Sequence, residues 1–143
     1  MITKMAKIVA PSSSYQLRLP KEICEQNDGR VFSFWLDGAP LLIQLSSYIR
    51  SEGTQLTAGD RLKERIKKQD AQWNRWKENI HPDAGVDQAT AEFTDDDGLL
   101  WIHSYLVWPH LTVYSIISGP QPTARNSGNW ALQSLKSLRL TTH

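Results

Sequence analysis

The segment from Gly98 to Pro120 constrains the fold more than any other part of this 143-residue chain. Its sequence, GLLWIHSYLVWPHLTVYSIISGP, predicts two adjacent strands joined at Trp108-Pro109-His110. Apolar side chains occupy both faces of the first strand, with Leu100, Ile102, Leu106 and Trp108 on one and Trp101, Tyr105 and Val107 on the other. A strand with one face in water would carry polar residues at every second position. The segment therefore predicts a central strand with protein packed against both faces.

The composition is typical of a soluble globular protein with one domain. Hydrophobic residues make up 40% and charged residues 22%, and the net charge of +1 provides no general attraction to nucleic acid or to a membrane. The single Cys24 cannot form an internal disulfide, which fits a reducing compartment. No apolar run approaches the roughly 18 residues that a membrane helix needs, and the N-terminus lacks the apolar stretch of a signal peptide. We therefore expect a cytoplasmic protein without a membrane partner.

The first half of the chain predicts strands and a long helix. Residues 1–14 resemble a loose lead-in, and residues 15–143 are expected to form a single α+β domain. Alternation predicts a strand over 15–19, ended by Pro20, and 21–25 could form one helical turn. Residues 31–36 and 39–48 flank Asp37-Gly38, which predicts a hairpin with a two-residue type I′ turn. Thr57 and Asp60 then form a capping box for an amphipathic helix over residues 58–78.

The second half predicts three more strands and a final helix. His81 to Gly85 ends the long helix, and alternation over 87–94 predicts a strand. An Asp95-Asp96-Asp97-Gly98 turn leads into the apolar pair of strands, which a loop over 119–122 follows. Asn126 or Ser127 could cap the last helix. The predicted fold is α+β, in the order βββ-α-βββ-α, with a mainly antiparallel sheet of about six strands and helices on both faces.

Several stretches of this chain resemble the PsbP-like fold. These are YQLRLPKEI near the start, a long polar helix in the middle, DDDGLLWIHSYLV, and a closing NWALQSLKSLRL. The fold includes the extrinsic PsbP proteins of photosystem II, the DcrB lipoproteins and a Ran-binding nuclear import factor. The resemblance implies an α+β scaffold used for binding or assembly. It supplies no catalytic residues that can be transferred, and the chain lacks the export signal of the PsbP proteins and the lipoprotein cysteine of DcrB.

The sequence contains no motif that predicts catalysis, a cofactor or a metal. His81-Pro82-Asp83 matches the tripeptide of J-domain co-chaperones, but a strand follows where a J-domain has a helix, so Pro82 is more simply a helix stop. The aspartates 95–97 lack the spacing of a calcium loop, and the four histidines lack the spacing of zinc ligands. There is also no nucleophile elbow and no phosphate-binding glycine loop. We therefore favour a protein without enzymatic activity.

Charge is unevenly distributed along the chain. Residues 57–80 contain seven Lys or Arg against four acids, whereas residues 81–100 contain six acids and no Lys or Arg. The simple interpretation is a solvated helix followed by a solvated turn. The alternative is a protein-binding surface, on which unlike charges steer association and tryptophan or arginine side chains anchor the partner. The candidate residues are Arg65, Lys68, Trp73, Arg75, Trp76, Asp95, Asp96 and Asp97.

Three functions remain open from the sequence. The first is a small protein-binding module of bacterial type, such as an immunity or adaptor protein. The second is nucleic-acid binding by the basic helix with Trp73 or Trp76 stacking on bases, which the near-zero net charge disfavours. The third is a ligand-binding or enzymatic domain, which would require a pocket between the sheet and the helix.

Overall fold

The computed structural model describes residues 5–49, 56–67, 72–76, 78–126 and 129–141. The strands within these residues are β1 Met5–Ser12, β2 Tyr15–Pro20, β3 Cys24–Asn27, β4 Phe32–Trp35, β5 Leu42–Ile49, β6 Asn74–Arg75, β7 Asp87–Thr94, β8 Leu99–Val107, β9 Leu111–Pro120 and β10 Arg139–Leu140. The helices are α1 Ala58–Ile66, α2 Gln121–Arg125 and α3 Trp130–Lys136. The α+β class is confirmed, and the strands pair in an antiparallel manner throughout.

Strands β8 and β9 form the interior of a seven-stranded sheet ordered β3-β4-β5-β9-β8-β7-β6. Ile102 pairs with Ile117 and Leu106 with Val113 on one face, which we call the core face. Tyr105 pairs with Tyr114 on the opposite face, which we call the helix face. The apolar residues of the two faces belong to two separate buried clusters. The prediction of a central strand with protein on both faces is therefore confirmed.

The core face is covered by a second sheet and by α3. This sheet has the order β1-β2-β10, and β2 contributes Tyr15, Leu17 and Leu19, which are fully buried in the same cluster as Ile102 and Ile117. Helix α3 adds five buried residues to that cluster or its flank, namely Trp130, Ala131, Leu132, Ser134 and Leu135. Its N-cap is Asn129, whose side chain accepts a hydrogen bond from the Leu132 amide at 2.7 Å, and not Asn126 as one alternative predicted. The other predicted cap, Ser127, lies outside the described residues.

Helix α1 covers part of the helix face. Ala58 and Leu62 are buried with Tyr105, Val107 and Tyr114. The predicted capping box is present, since the Asp60 amide donates to Thr57 Oγ1 at 3.1 Å and the Thr57 amide to Asp60 Oδ2 at 3.5 Å. In addition, Asp87 Oδ2 on β7 accepts a hydrogen bond from the Ala58 amide at 2.8 Å. The helix start is therefore attached to the sheet as well as capped locally.

Three predictions about individual segments are wrong. Residues 5–12, expected as part of a lead-in, form β1 by pairing with β2. The possible helical turn over 21–25 is not formed, because residues 24–27 pair with β4 as strand β3. The helix predicted over 58–78 ends at Ile66, and Asn74 and Arg75 pair with β7 as strand β6. Residues 74 and 75 form hydrogen bonds with the edge of β7, and helix propensity, which depends on local sequence, does not predict such a pairing.

The predicted arrangement of layers is also revised. Ten strands in two sheets replace one sheet of about six among the described residues. A helix layer on each face is not confirmed, because strand β2 supplies much of the cover on the core face. The hairpin at Asp37-Gly38 also has another turn type. Of Asp37 and Gly38, only Gly38 has a positive φ, of 76°, whereas a type I′ turn needs a positive φ at both positions. The β4–β5 ladder ends at the pair Trp35 and Leu42, so residues 36–41 form the connection.

Candidate functional site

A cavity of about 780 Å³ lies beside the end of α1, and its lining includes residues from both faces of the sheet. Residues of β5 and β9 form its floor, and Arg65 of α1, the loop before β4 and the end of β1 form its walls. The lining residues are Pro11, Ser12, Gly29, Arg30, Val31, Phe32, Gln44, Ser46, Ser47, Tyr48, Arg65, Tyr114 and Ile116. Because α1 covers β7 and β8 but leaves β5 and part of β9 open, the cavity forms where the helix layer ends.

Arg65 is held in place by two tyrosines of the sheet. Its Nε donates a hydrogen bond to Tyr105 Oη at 3.3 Å, and its guanidinium carbon lies 4.3 Å from the centroid of the Tyr114 ring. The flat guanidinium stacks well on an aromatic face. The ion pairs among the described residues join Lys67 to Glu64 and Arg125 to Glu92, so within this part of the chain Arg65 has no carboxylate partner.

A neutral network lies beneath Arg65. The Tyr114 hydroxyl forms a hydrogen bond with His103 Nδ1, and both side chains are buried. Burial, with a smaller contribution from the Arg65 charge, lowers the pKa of His103 to about 4. Burial likewise raises the pKa of Tyr114 above its ordinary value. At neutral pH the imidazole and the phenol are therefore both uncharged, and Arg65 contributes the one formal charge of this group.

The remaining wall of the cavity adds a second cation and several hydrogen-bonding groups. Arg30 lies in the loop before β4, and Ser12, Ser46, Ser47, Tyr48 and Gln44 provide hydroxyl and amide groups. The neighbouring Asp28 accepts hydrogen bonds from the Arg30 and Val31 amides at 3.0 and 2.8 Å. No aspartate or glutamate belongs to the described residues that line the cavity. The site therefore combines positive charge with hydrogen-bond donors.

Trp73, Trp76 and Arg75, which were predicted to belong to one partner surface, lie in different parts of the structure. Trp73 lies against Phe93 and His103, with ring centroids 4.3 and 4.7 Å apart respectively. Trp76 instead packs against the cluster of the core face, while Arg75 is exposed on β6. A strand places residues 73 and 76 on opposite faces, whereas the predicted helix would have placed them on one side. Lys68 lies outside the described residues.

The acidic turn is used to build its own hairpin. Asp95 accepts hydrogen bonds from the Asp97 amide, the Leu99 amide and Trp101 Nε1, each at 2.9 Å. The bond from Trp101, followed by those from the backbone, lowers the pKa of Asp95. Asp96 and Asp97 are exposed at the tip. In the described part of the chain, no group of three metal-binding side chains converges here or elsewhere.

Among the predicted site residues that the structure describes, Arg65 alone lines this cavity. Sequence reasoning missed Arg30, Gln44, Tyr48, His103 and Tyr114, which come from separate strands and loops. The one usable signal was the alternation in β8 and β9, which places Tyr105 and Tyr114 on a shared face once the hairpin is recognised.

Comparisons with known proteins indicate the fold and no more. No family model matches the chain, and no curated protein matches it. A crystal structure from Bacteroides thetaiotaomicron VPI-5482 is similar, with a TM-score of 0.58 and 15% sequence identity. The match covers 100% of this chain and 50% of the other, so this chain spans about half the length of that protein. Among the described helices, none is long and apolar enough to cross a membrane.

Proposed function

We propose that this protein is a binding domain for a small organic anion, which occupies the cavity beside α1 and pairs with Arg65. The observation that carries the proposal is an oriented guanidinium with no carboxylate partner among the described residues, facing a cavity whose described lining contains no acid. A carboxylate or phosphate group would complete this arrangement. It would accept two parallel hydrogen bonds from the guanidinium fork.

The immediate surroundings of Arg65 favour binding over solvation. Tyr105 and Tyr114 hold the side chain in one position, so less conformational entropy is lost when a ligand binds. Arg30 adds a second cation to the wall of the cavity. The volume of about 780 Å³ lies within the range of small-molecule sites. Of the three functions that the sequence leaves open, we therefore adopt small-ligand binding, with the cavity beside the end of α1 and not between the helix and the sheet.

The test measures binding of benzoate and of inorganic phosphate by calorimetry to the unmodified chain and to Arg65→Met. Loss of a charge-assisted hydrogen bond of about 1.5–3 kcal/mol should weaken binding roughly tenfold to more than a hundredfold. Lys63→Met is the matched control, because Lys63 is an exposed cation of the same helix that lines neither cavity next to Arg65. Equal affinity of Arg65→Met and the unmodified chain would contradict the proposal.

Arg65→Lys separates charge from geometry in the same experiment. Lysine retains the positive charge but lacks the planar fork and cannot stack on Tyr114 in the same way. We therefore expect affinity between those of the arginine and methionine proteins. Far-ultraviolet circular dichroism of all variants checks that α1 remains folded.

A protein partner, expected from the sequence, is the second candidate function. The observation that favours it is the position of β6 at the end of the seven-stranded sheet, with Arg75 exposed on it. A partner could add a strand to that edge. A partner bound there should slow hydrogen exchange of the Arg75 amide, because the neighbouring Trp76 amide already donates to the Thr90 carbonyl of β7. Unchanged exchange of the Arg75 amide on binding would contradict this site. The resemblance to the PsbP-like fold, whose named members are mostly binding or assembly proteins, is compatible with either candidate.

Nucleic-acid binding by the basic helix loses its structural basis. The helix ends at Ile66, so neither Trp73 nor Trp76 lies on it. Trp73 is already packed against Phe93 and His103, and a base could not stack on it without displacing these rings.

A further inference from the structure

Two exposed apolar side chains, Tyr48 and Leu56, line cavities that also contain Arg65. The large hydrophobic residues that are exposed in the described part of the chain are Ile8, Tyr48, Ile49, Leu56 and Leu140. Tyr48, 47% exposed, lines the 780 Å³ cavity, and Ile49 follows it at the end of β5 with 81% exposed. Leu56, also 47% exposed, lies just before the helix that carries Arg65.

Two cavities share Arg65, and each contains apolar side chains among polar or charged ones, which include the acid Glu64 in the smaller cavity. The second cavity, of about 380 Å³, is lined by Leu56, Arg61, Glu64, Arg65 and Tyr105. The first contains Tyr48, Tyr114 and Ile116 beside the same guanidinium. The cation therefore has exposed apolar surface on both sides. An inorganic anion or a sugar phosphate would neutralise the charge and leave this surface in water.

We infer that the ligand of this site is an amphiphilic organic anion. Its acidic head pairs with Arg65, and its alkyl or aryl part covers Leu56 on one side or Tyr48 and Ile116 on the other. The inference rests on the proposed function and adds the chemical class of the ligand. The acidic head is inferred from the positive charge of Arg65. The apolar tail is inferred because it would bury the exposed apolar surface beside that charge.

The test is a series of linear carboxylates from acetate to decanoate, measured below their micelle concentrations with the full chain. Burial of each methylene contributes about 0.8 kcal/mol, which corresponds to an affinity gain of up to roughly fourfold per carbon. We expect gains of at least about twofold per carbon until the apolar surface is covered. The same series with Arg65→Met should be weaker throughout, because every member uses the same head.

Leu56→Ser and Leu140→Ser form a matched pair for the tail. Both leucines are exposed, by 47% and 40%, but Leu140 lies on β10 and lines neither cavity. Leu56→Ser should reduce the gain in affinity per carbon if the tail covers Leu56. Tyr48→Ser should reduce it if the tail covers Tyr48 and Ile116. Leu140→Ser should leave the gain unchanged. Retention of the full gain in the Leu56→Ser, Tyr48→Ser double variant would overturn the inference.

The ligand could be a free molecule or a lipid in a bilayer, and a flotation assay distinguishes the two. Co-flotation with phosphatidylglycerol vesicles, absent with phosphatidylcholine vesicles, identifies a lipid source. Binding of decanoate without co-flotation identifies a free ligand. Both results support an amphiphilic anion.

The two proposals fail in different ways. If short carboxylates bind through Arg65 but affinity does not change from acetate to decanoate, the amphiphilic ligand is excluded and the anion site remains. If no carboxylate and no phosphate binds in an Arg65-dependent manner, the anion site itself is excluded.

Discussion

His103 lies under the candidate site as a buried and neutral imidazole. It bonds to Tyr114, and Trp73 packs edge-on against its ring. Protonation would place a second charge near Arg65 in a region with little water, which is why its pKa falls to about 4. A neutral residue at this position keeps Arg65 as the one charged group of the cluster.

This shift predicts a pH dependence of stability. The pKa of His103 is near 6.5 in the unfolded chain and about 4 in the folded chain, so the unfolded state takes up the proton first as the pH falls. The neutral His103 therefore contributes to the free energy of unfolding fully above pH 6.5. As the pH falls to about 4 this contribution is lost progressively, by about 3 kcal/mol in total. Urea titrations of the free energy of unfolding at several pH values in this window measure the loss.

His103→Gln should flatten this dependence, because the glutamine amide does not titrate. His110→Gln is the control, since His110 is exposed in the turn between β8 and β9. It should retain the slope of the unmodified chain. Parallel curves for His103→Gln and the unmodified chain would show that another group causes the loss.

At the scale of elements, strand β9 and helix α1 contain glycines with opposite roles. A Cβ on Gly119 would collide with Leu41 Cδ2 and lie 3.0 Å from the carbonyl oxygen of Pro40. A Cβ on Gly59 would meet nothing nearer than Thr57 Oγ1, at 3.8 Å. The first glycine permits the close approach of β9 and the segment before β5, whereas the second only weakens its helix.

Gly119→Ala should therefore lower the free energy of unfolding by about 1–3 kcal/mol. Gly59→Ala should raise it by about 0.5–1 kcal/mol, the difference in helix propensity between the two residues. Urea denaturation of both variants at one pH provides the comparison. A neutral or stabilising Gly119→Ala would mean that Leu41 and Pro40 can move without loss of packing.

Over the whole molecule, His81 joins the layers on the two sides of the core. Its Nδ1 accepts a hydrogen bond from the Asp83 amide at 3.1 Å, so its Nε2 carries the proton and donates to the Leu138 carbonyl at 2.6 Å. Gln88 of β7 bonds to the Ile80 and His81 amides through one oxygen, at 2.9 and 3.0 Å. A loop beside the large sheet is thereby connected to the end of α3.

His81→Ala should destabilise the protein by at least roughly 1–3 kcal/mol, because it leaves the buried Leu138 carbonyl without its donor. Hydrogen exchange should accelerate at residues 138–141, which include β10. His110→Ala, at an exposed position, should change neither quantity. Loss of stability without faster exchange at 138–141 would mean that His81 acts through packing against Trp108 and not through this connection.

Local patterns were sufficient to predict many of the elements. The capping box at Thr57, the strand at 87–94 and the hairpin after Asp95 all depend on neighbours within a few residues. Segments whose structure depends on distant pairing were mispredicted. Residues 74–75 and 24–27 became strands because β7 and β4 offered open edges. Trp73 and Trp76 were therefore assigned to a helix that had already ended.

The sequence by itself determined the α+β class, the central position of the apolar strand pair and the need for cover on both faces. These follow from alternation, which is a local property of the chain. The tertiary structure alone decided the site, because Arg65, Tyr105 and Tyr114 meet only when α1 packs on β7 and β8 and β8 pairs with β9. The Arg65 to Tyr105 bond spans 40 residues. Whether a cation has a carboxylate beside it depends on packing, and no local pattern in the sequence records it.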